Sequence, residues 1–282
     1  MEIEVRCPAC SKAGKIEVSE ERLKKASRGL LAVNVSAEMI CEHSFIAYID
    51  KNLEIRDAFI ADFQIELPDL GEKEVSEAEE EFITDKIDLT IIKLNFSASL
   101  LAYLLKSIFL KEDIAILSDQ KFLYSHMNNF IDYITSDIKK DIKVEMIPRE
   151  TYLEEKKAYE DYVVLENNNV IQNKDSILEA SELNVERTII QRFLEEFDEK
   201  SSIIILKNEV QRAFTLAETL VEYIENFEGE EIQSKELIDY VEEKRDITVK
   251  IPYLNFLLDI VENFFGIDVP RSSEVSNFLG FL

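Results

Sequence analysis

Tryptophan is absent from this 282-residue chain, and four other residue types are scarce: 6 Gly, 5 Pro, 3 Cys and 2 His. So little glycine and proline excludes collagen-like, linker-like and glycine-rich architectures. It also removes the usual phosphate cradles, because neither G-x-x-x-x-G-K-[ST] nor G-x-G-x-x-G can be written with the glycines present. An odd number of cysteines argues against a disulfide framework. Basic residues are outnumbered, 32 against 58 acidic ones, for a formal net charge of -26. Nucleic acid is bound largely by releasing counterions to Lys and Arg, so that balance opposes it as a partner. The imbalance is uneven. Residues 1–70 carry 13 acids and 9 bases, a net of -4, which leaves -22 on residues 71–282.

Long apolar runs are missing as well. The N-terminal Met-Glu-Ile-Glu-Val-Arg has no apolar core of the kind a signal peptide needs. The most apolar stretches, 100–110 and 253–265, are short and interrupted by Lys106, Asp259 and Glu262, well below the ~20 residues that span a bilayer. The expectation is a cytoplasmic protein. Hydrophobic residues at 46% and aromatics at 10% supply enough material for buried cores and exclude disorder throughout. The length suggests about two domains.

Four regions follow from the patterning, and together they predict an α+β multidomain fold. Residues 1–67 read as a small β-rich module: Glu2–Arg6 alternates, 15–18 is a second strand, 19–27 a short helix stopping near Gly29, and 31–35 a strand. Phe45–Asp50 and 53–64 then form a hairpin. Residues 68–86 are an acidic linker. In 87–177, strands at 88–96, 113–117 and 143–147 alternate with helices at 97–111 and 122–138, the signature of parallel crossovers in a Rossmann-like segment. A hairpin at 162–165 and 170–172 extends its edge. Residues 178–282 form a helical lobe with helices at 184–197, 234–244 and 251–265. The β-branched run 203–206 fits either a strand or the start of a helix continuing to Phe227. Three or four short helices of this kind are also compatible with a winged-helix-like arrangement.

All three cysteines fall into one constellation, Cys7-Pro-Ala-Cys10 and Cys41-Glu-His43, and one of the two histidines completes it. Two paired-ligand turns flanking a short β/α segment make a zinc-ribbon-like pattern of three thiolates and one imidazole. A module of this size has a thin core, which a closed metal site would fix. The second pair is unusual in having a single intervening residue; in a regular strand Cys41 and His43 would share a face. Three buried thiols beside a surface histidine is the simpler alternative. Iron–sulfur spacings are missing. Four protein ligands leave no position for a catalytic water, so the expected cofactor is structural Zn2+ on Cys7, Cys10, Cys41 and His43.

The run CPAC followed by CEHSFIAYIDKNLEIRDAFIADF resembles the N-terminal zinc-binding module of uncharacterised proteins from Asgard-type archaea, through Cys7, Pro8, Cys10, Cys41, Glu42, His43, Phe45, Asp50 and Arg56. The likeness covers residues 3–63. It implies a recurring metal-stabilised module joined to varied C-terminal regions, and it implies no catalytic activity.

No catalytic constellation emerges. Ser97 and Ser99 at the first strand–helix junction fit either an anion site or plain helix caps. The Ser118-Asp119-Gln120-Lys121 junction sits where α/β folds bind ligands, and again reads as a capped connection. His126 lies beside Phe122 and Phe130 on a helix, as a packed residue would. Adjacent acids such as Glu195-Glu196 point in different directions. Phe264-Phe265 and the tail at 278–282 need burial or a docking surface. The reading is a non-enzymatic zinc-binding interaction or scaffold protein, with a protein partner of basic character and no nucleic acid. The alternatives are a transcription-linked regulator and a hydrolase or nucleotide-binding enzyme working at the two serine loops.

Overall fold

A computed structural model describes residues 1–18, 30–35, 39–50, 52–60, 67, 86–138, 142–174, 178, 183–196 and 198–270. The expected helix at 19–27, nearly all of the acidic linker and the tail at 278–282 lie outside the described residues. Mixed α and β structure is present, as expected.

Strands β1 (Glu2–Arg6) and β2 (Ala13–Glu17) form an antiparallel hairpin. Next come β3 (Leu30–Val35), β4 (Phe45–Asp50) and β5 (Ile55–Ile60), an antiparallel sheet with β4 in the middle. All six residues of β4 are buried. Strand periodicity divides them between two cores. Phe45, Ala47 and Ile49 join Ile3, Val5, Ile16 and Val18 of the hairpin, whereas Ile46 and Tyr48 enter the large core shared with the helices. A strand covered on both faces reads as a nearly continuous apolar run, and FIAYI is one.

Residues 88–96 are not the expected strand. They form helix α1 (Leu89–Asn95), capped by the Asp88 carboxylate, which accepts from the Ile91 N–H at 2.9 Å. Thr90, Ile91 and Ile92 favour a strand locally, but Leu89, Ile92 and Phe96 sit at helical spacing and are all buried. Tertiary burial together with the cap outweighs β-propensity, which spans only ~1 kcal/mol. Helix α2 (Ala98–Phe109) follows and is buried along most of its length.

The third sheet therefore begins with β6 (Ile114–Leu117). Helix α3 (Leu123–Ile134) leads to β7 (Val144–Ile147), and α4 (Arg149–Glu154) with a 3-10 turn (Lys156–Tyr159) leads back across to β8 (Val163–Glu166). β6 is parallel to both neighbours, and β9 (Asn169–Gln172) closes the order β7-β6-β8-β9 as an antiparallel edge. Ile114, Ile116, Val163 and Leu165 face the large core, while Ala115, Leu117, Ile147 and Val164 face Tyr152 and Tyr159 beneath α4.

The described elements after β9 are helices: α5 (Asn184–Glu195), α6 (Glu199–Glu225), α7 (Ser234–Arg245) and α8 (Ile251–Asn263). The ambiguous run 203–206 belongs to α6, which starts at an Asp198 cap. Gly266 just beyond α8 has φ +68°, a conformation that glycine adopts without strain. Phe264 stacks edge-on against Phe214 at 4.6 Å between centroids, so this aromatic packs within the lobe. Among the described residues no single helix is long and apolar enough to cross a membrane. α1 and α2 would pass together, but they are bent by 103° at their break.

A charged triad reaches from the surface, at half-buried Asp259, into this core. Lys106 of α2 is 2.8 Å from Asp259 of α8 and 3.6 Å from Glu186 of α5, which is fully buried. Burial pushes the Glu186 carboxyl up to about 7, against the opposing pull of Lys106. A raised carboxyl favours folding below its unfolded value near 4.5, and that contribution disappears as pH rises through 7. Glu186→Gln should therefore raise the melting temperature at pH 8, by a stability gain on the order of 1–3 kcal/mol, and leave it nearly unchanged at pH 4, below the unfolded value. Thermal denaturation at the two pH values checks this.

Candidate metal centre

β1 ends at Arg6 and delivers Cys7 directly into a tight turn. The Cys7 N–H donates to the Lys12 carbonyl and the Ser11 N–H to the Cys7 carbonyl, both at 2.9 Å, which folds Cys10 back beside Cys7. Ser11 takes φ 60°, a left-handed conformation that is strained for a residue with a side chain. The second pair arrives from a bend at Met39–Glu42 that runs straight into β4. Cys41 and His43 are thus not on a regular strand, and the bend is what lets a single-residue spacing converge.

The four ligand atoms of Cys7, Cys10, Cys41 and His43 all lie within 4.8 Å of one another, so the cluster is positioned to hold a metal ion. A tetrahedral ion with thiolates at ~2.3 Å and imidazole at ~2.0–2.1 Å needs ligand atoms roughly 3.5–3.8 Å apart. Cys41 Sγ and His43 Nδ1 are 3.7 Å apart. The short spacing therefore presents Nδ1 to the sulfur cluster.

Electrostatics around the thiols fit a cation. Burial raises the Cys7 thiol, but hydrogen bonds from the Cys10 and Ala9 backbone and from the neighbouring thiols outweigh it, so its pKa falls below the usual thiol value. Cys41 shifts the other way. A hydrogen bond from the His43 backbone pulls it down, yet burial and the nearby Cys7 and Cys10 push it up on balance. Three thiols this close cannot all ionise without a positive charge between them. Cys7 is buried, Cys41 and His43 are half-buried, and Cys10 faces solvent.

Apolar packing ties the bend that carries Cys41 to the first hairpin. Ile40, next to Cys41, lies so close over Gly14 of β2 that a Cβ there would come within 2.7 Å of Ile40 Cγ1. Asp50, at the far end of β4, organises the β4–β5 turn: its Oδ1 accepts from the Asn52 and Glu54 N–H groups, and Arg56 pairs with Oδ2. Its carboxyl is held below the usual range because these bonds outweigh the effect of burial.

The other sequence candidates are not brought together. Ser97 caps α2, accepting from the Leu100 N–H at 3.0 Å. The anion at that helix N-terminus is the protein's own Asp57 on β5, which accepts from Ser99 N–H at 2.7 Å and from Ser99 Oγ at 3.2 Å. Asn168 adds a third donor from the β8–β9 turn. Burial raises the Asp57 pKa in spite of these bonds. Ser118 and Asp119 bond locally to Gln120 and Arg149, and the cavity beside Ser97 includes no residue from 118–121. His126 is half-buried on α3. Sequence reasoning misses Asp57, although it carries a signal: it shares the inward register of Phe59 on β5, where a carboxylate needs a partner. Comparison with protein-family models and with curated proteins finds no match for this chain.

Gly14→Val should displace Ile40, destabilise the fold by about 1–3 kcal/mol through overpacking, and weaken metal retention at least tenfold. Competition with a chromophoric chelator measures the second effect.

Proposed function

We propose that the protein is a non-enzymatic, cytoplasmic interaction protein whose zinc-ribbon-like module is built on one structural Zn2+. The observation that carries this reading is the donor set: three thiolates and an imidazole within 4.8 Å of one another match the soft, four-coordinate preference of structural zinc. Cys7, Cys10, Cys41 and His43 would hold the ion. Bound there, it would supply the positive charge that lets the thiols ionise.

A basic protein partner is supported by charge placement. Glu222 and Glu225 occupy the last turn of α6, where the helix dipole disfavours anions, and Glu228, Glu230 and Glu231 follow, all exposed. The parallel strands β6, β7 and β8 support a Rossmann-like description of 87–177, without any phosphate-binding loop. The regulator reading has less behind it: among the described residues of the lobe there is no strand to make a wing, and α7 carries more acids than bases. The enzyme reading loses its anion site to Asp57.

Elemental analysis of protein purified without added metal should return close to one zinc per chain. No metal, or a coloured iron cluster, would contradict the site. A mobility-shift titration near physiological salt should show no appreciable DNA or RNA binding; submicromolar, salt-sensitive binding would put the regulator first.

A further inference from the structure

The third sheet has an open edge at β7. Ile114 N–H donates to the Lys143 carbonyl at 2.8 Å and Ser118 N–H to the Ile147 carbonyl at 3.0 Å. The Lys143 N–H in turn bonds the Asp113 carboxylate. Odd-numbered residues thus direct their backbone groups to the β6 side. Alternation along the strand turns the N–H and C=O groups of Val144 and Met146 outward, where no described strand pairs with them. The register with β6 is unbroken, and no proline falls within 142–147. The opposite edge is managed differently. Val164 pairs with Gln172 but Leu165 with Val170, which leaves Ile171 as a bulge in β9, a device that discourages further pairing. Beside the β7 edge lies a cavity of ≈ 290 Å³, lined by Ile142 and Val144 on the strand side and by Ile131 and Ile138 among others on the α3 side. Ile142 and Val144 are only half-buried, while Lys143 and Glu145 between and beyond them are exposed.

Charge selects the occupant of this edge. An antiparallel copy of β7, related by a two-fold axis, must match outward-facing even-numbered residues with even-numbered ones. Centred on Val144, that pairing sets Lys143 opposite Glu145 of the second copy, and the symmetry repeats the contact. Centring one residue either way sets Lys143 against Lys143 or Glu145 against Glu145, and like charges directly opposite are destabilising. Tyr162 also lies beside Glu145, and a carboxylate has acceptor capacity for both partners. On the other face, Val144 meets its own copy and Ile142 meets Met146, which extends the apolar side of the strand where the cavity opens. We infer that two copies of this chain pair along β7, in the register centred on Val144, to make one continuous sheet. The two charges that would discourage a foreign strand are complementary to themselves once the strand is reversed.

The test is sedimentation equilibrium of the full metal-loaded chain at physiological salt, where the net charge of -26 is screened beyond ~8 Å. The wild type should reach twice the chain mass at submillimolar concentration. Lys143→Glu and Glu145→Lys should each weaken self-association at least tenfold, because each sets like charges opposite one another. Mixed in equal amounts, the two single variants should form a heterodimer, since every Lys then meets a Glu. The double exchange Lys143→Glu/Glu145→Lys should recover the wild-type affinity. Recovery in the mixture and in the double exchange separates lost charge pairing from lost folding. A monomeric wild type overturns the proposal, and so do single variants that dimerise as the wild type does. Weakened single variants that recover neither in the mixture nor in the double exchange overturn it too.

Discussion

Burial of β4 on both faces is the constraint on which the rest of the structure depends. One set of its side chains closes the small core beneath the metal ligands, and the alternate set enters the large helical core. Fully burying side chains such as Phe45 or Ile49 contributes ~1.5–3 kcal/mol each, so the strand is fixed only when both cores are formed. Only Ser44 separates His43 from β4, and Asp50 ends the strand. The metal ligands and the turn that Asp50 holds are thus the two ends of one rigid element.

A polar contact completes the join. Asp57 sits in the inward register of β5 and meets the N-terminus of α2, where its charge opposes the positive end of the helix dipole. Four donors satisfy it. Its raised pKa nevertheless records how strongly burial disfavours the charge. Arg187 of α5 lies 5.2 Å from the centre of the Phe59 ring and brings compensating charge to the same seam.

The metal ligands are legible in the sequence because their chemistry is scarce: three cysteines and a histidine gathered in two short clusters suit a metal ion far better than scattered packing. Strands β6 and β7 and the β8–β9 hairpin are legible for a different reason, being short apolar runs bounded by polar turns. Helix α1 is not. Its Thr-Ile-Ile run carries a strand signal, and only the Asp88 cap and the distant core reveal the helix. The choice of Nδ1 on His43 depends on a backbone bend with no residue signature. The Asp57–Ser99 contact joins positions 42 residues apart, so no local pattern announces it. Two-sided burial of β4 also depends on which elements later cover it, although its unbroken apolar run is visible in the sequence.

Coupling between the metal centre and the helical body through β4 is the central claim, and hydrogen exchange measured with and without chelator tests it most directly. Removal of the metal should lose protection in β1 through β5 and at the Ser99 amide, which Asp57 holds, while amides in α6 and α8 keep theirs. Unchanged exchange at β4 and at Ser99 after complete metal removal would contradict the account.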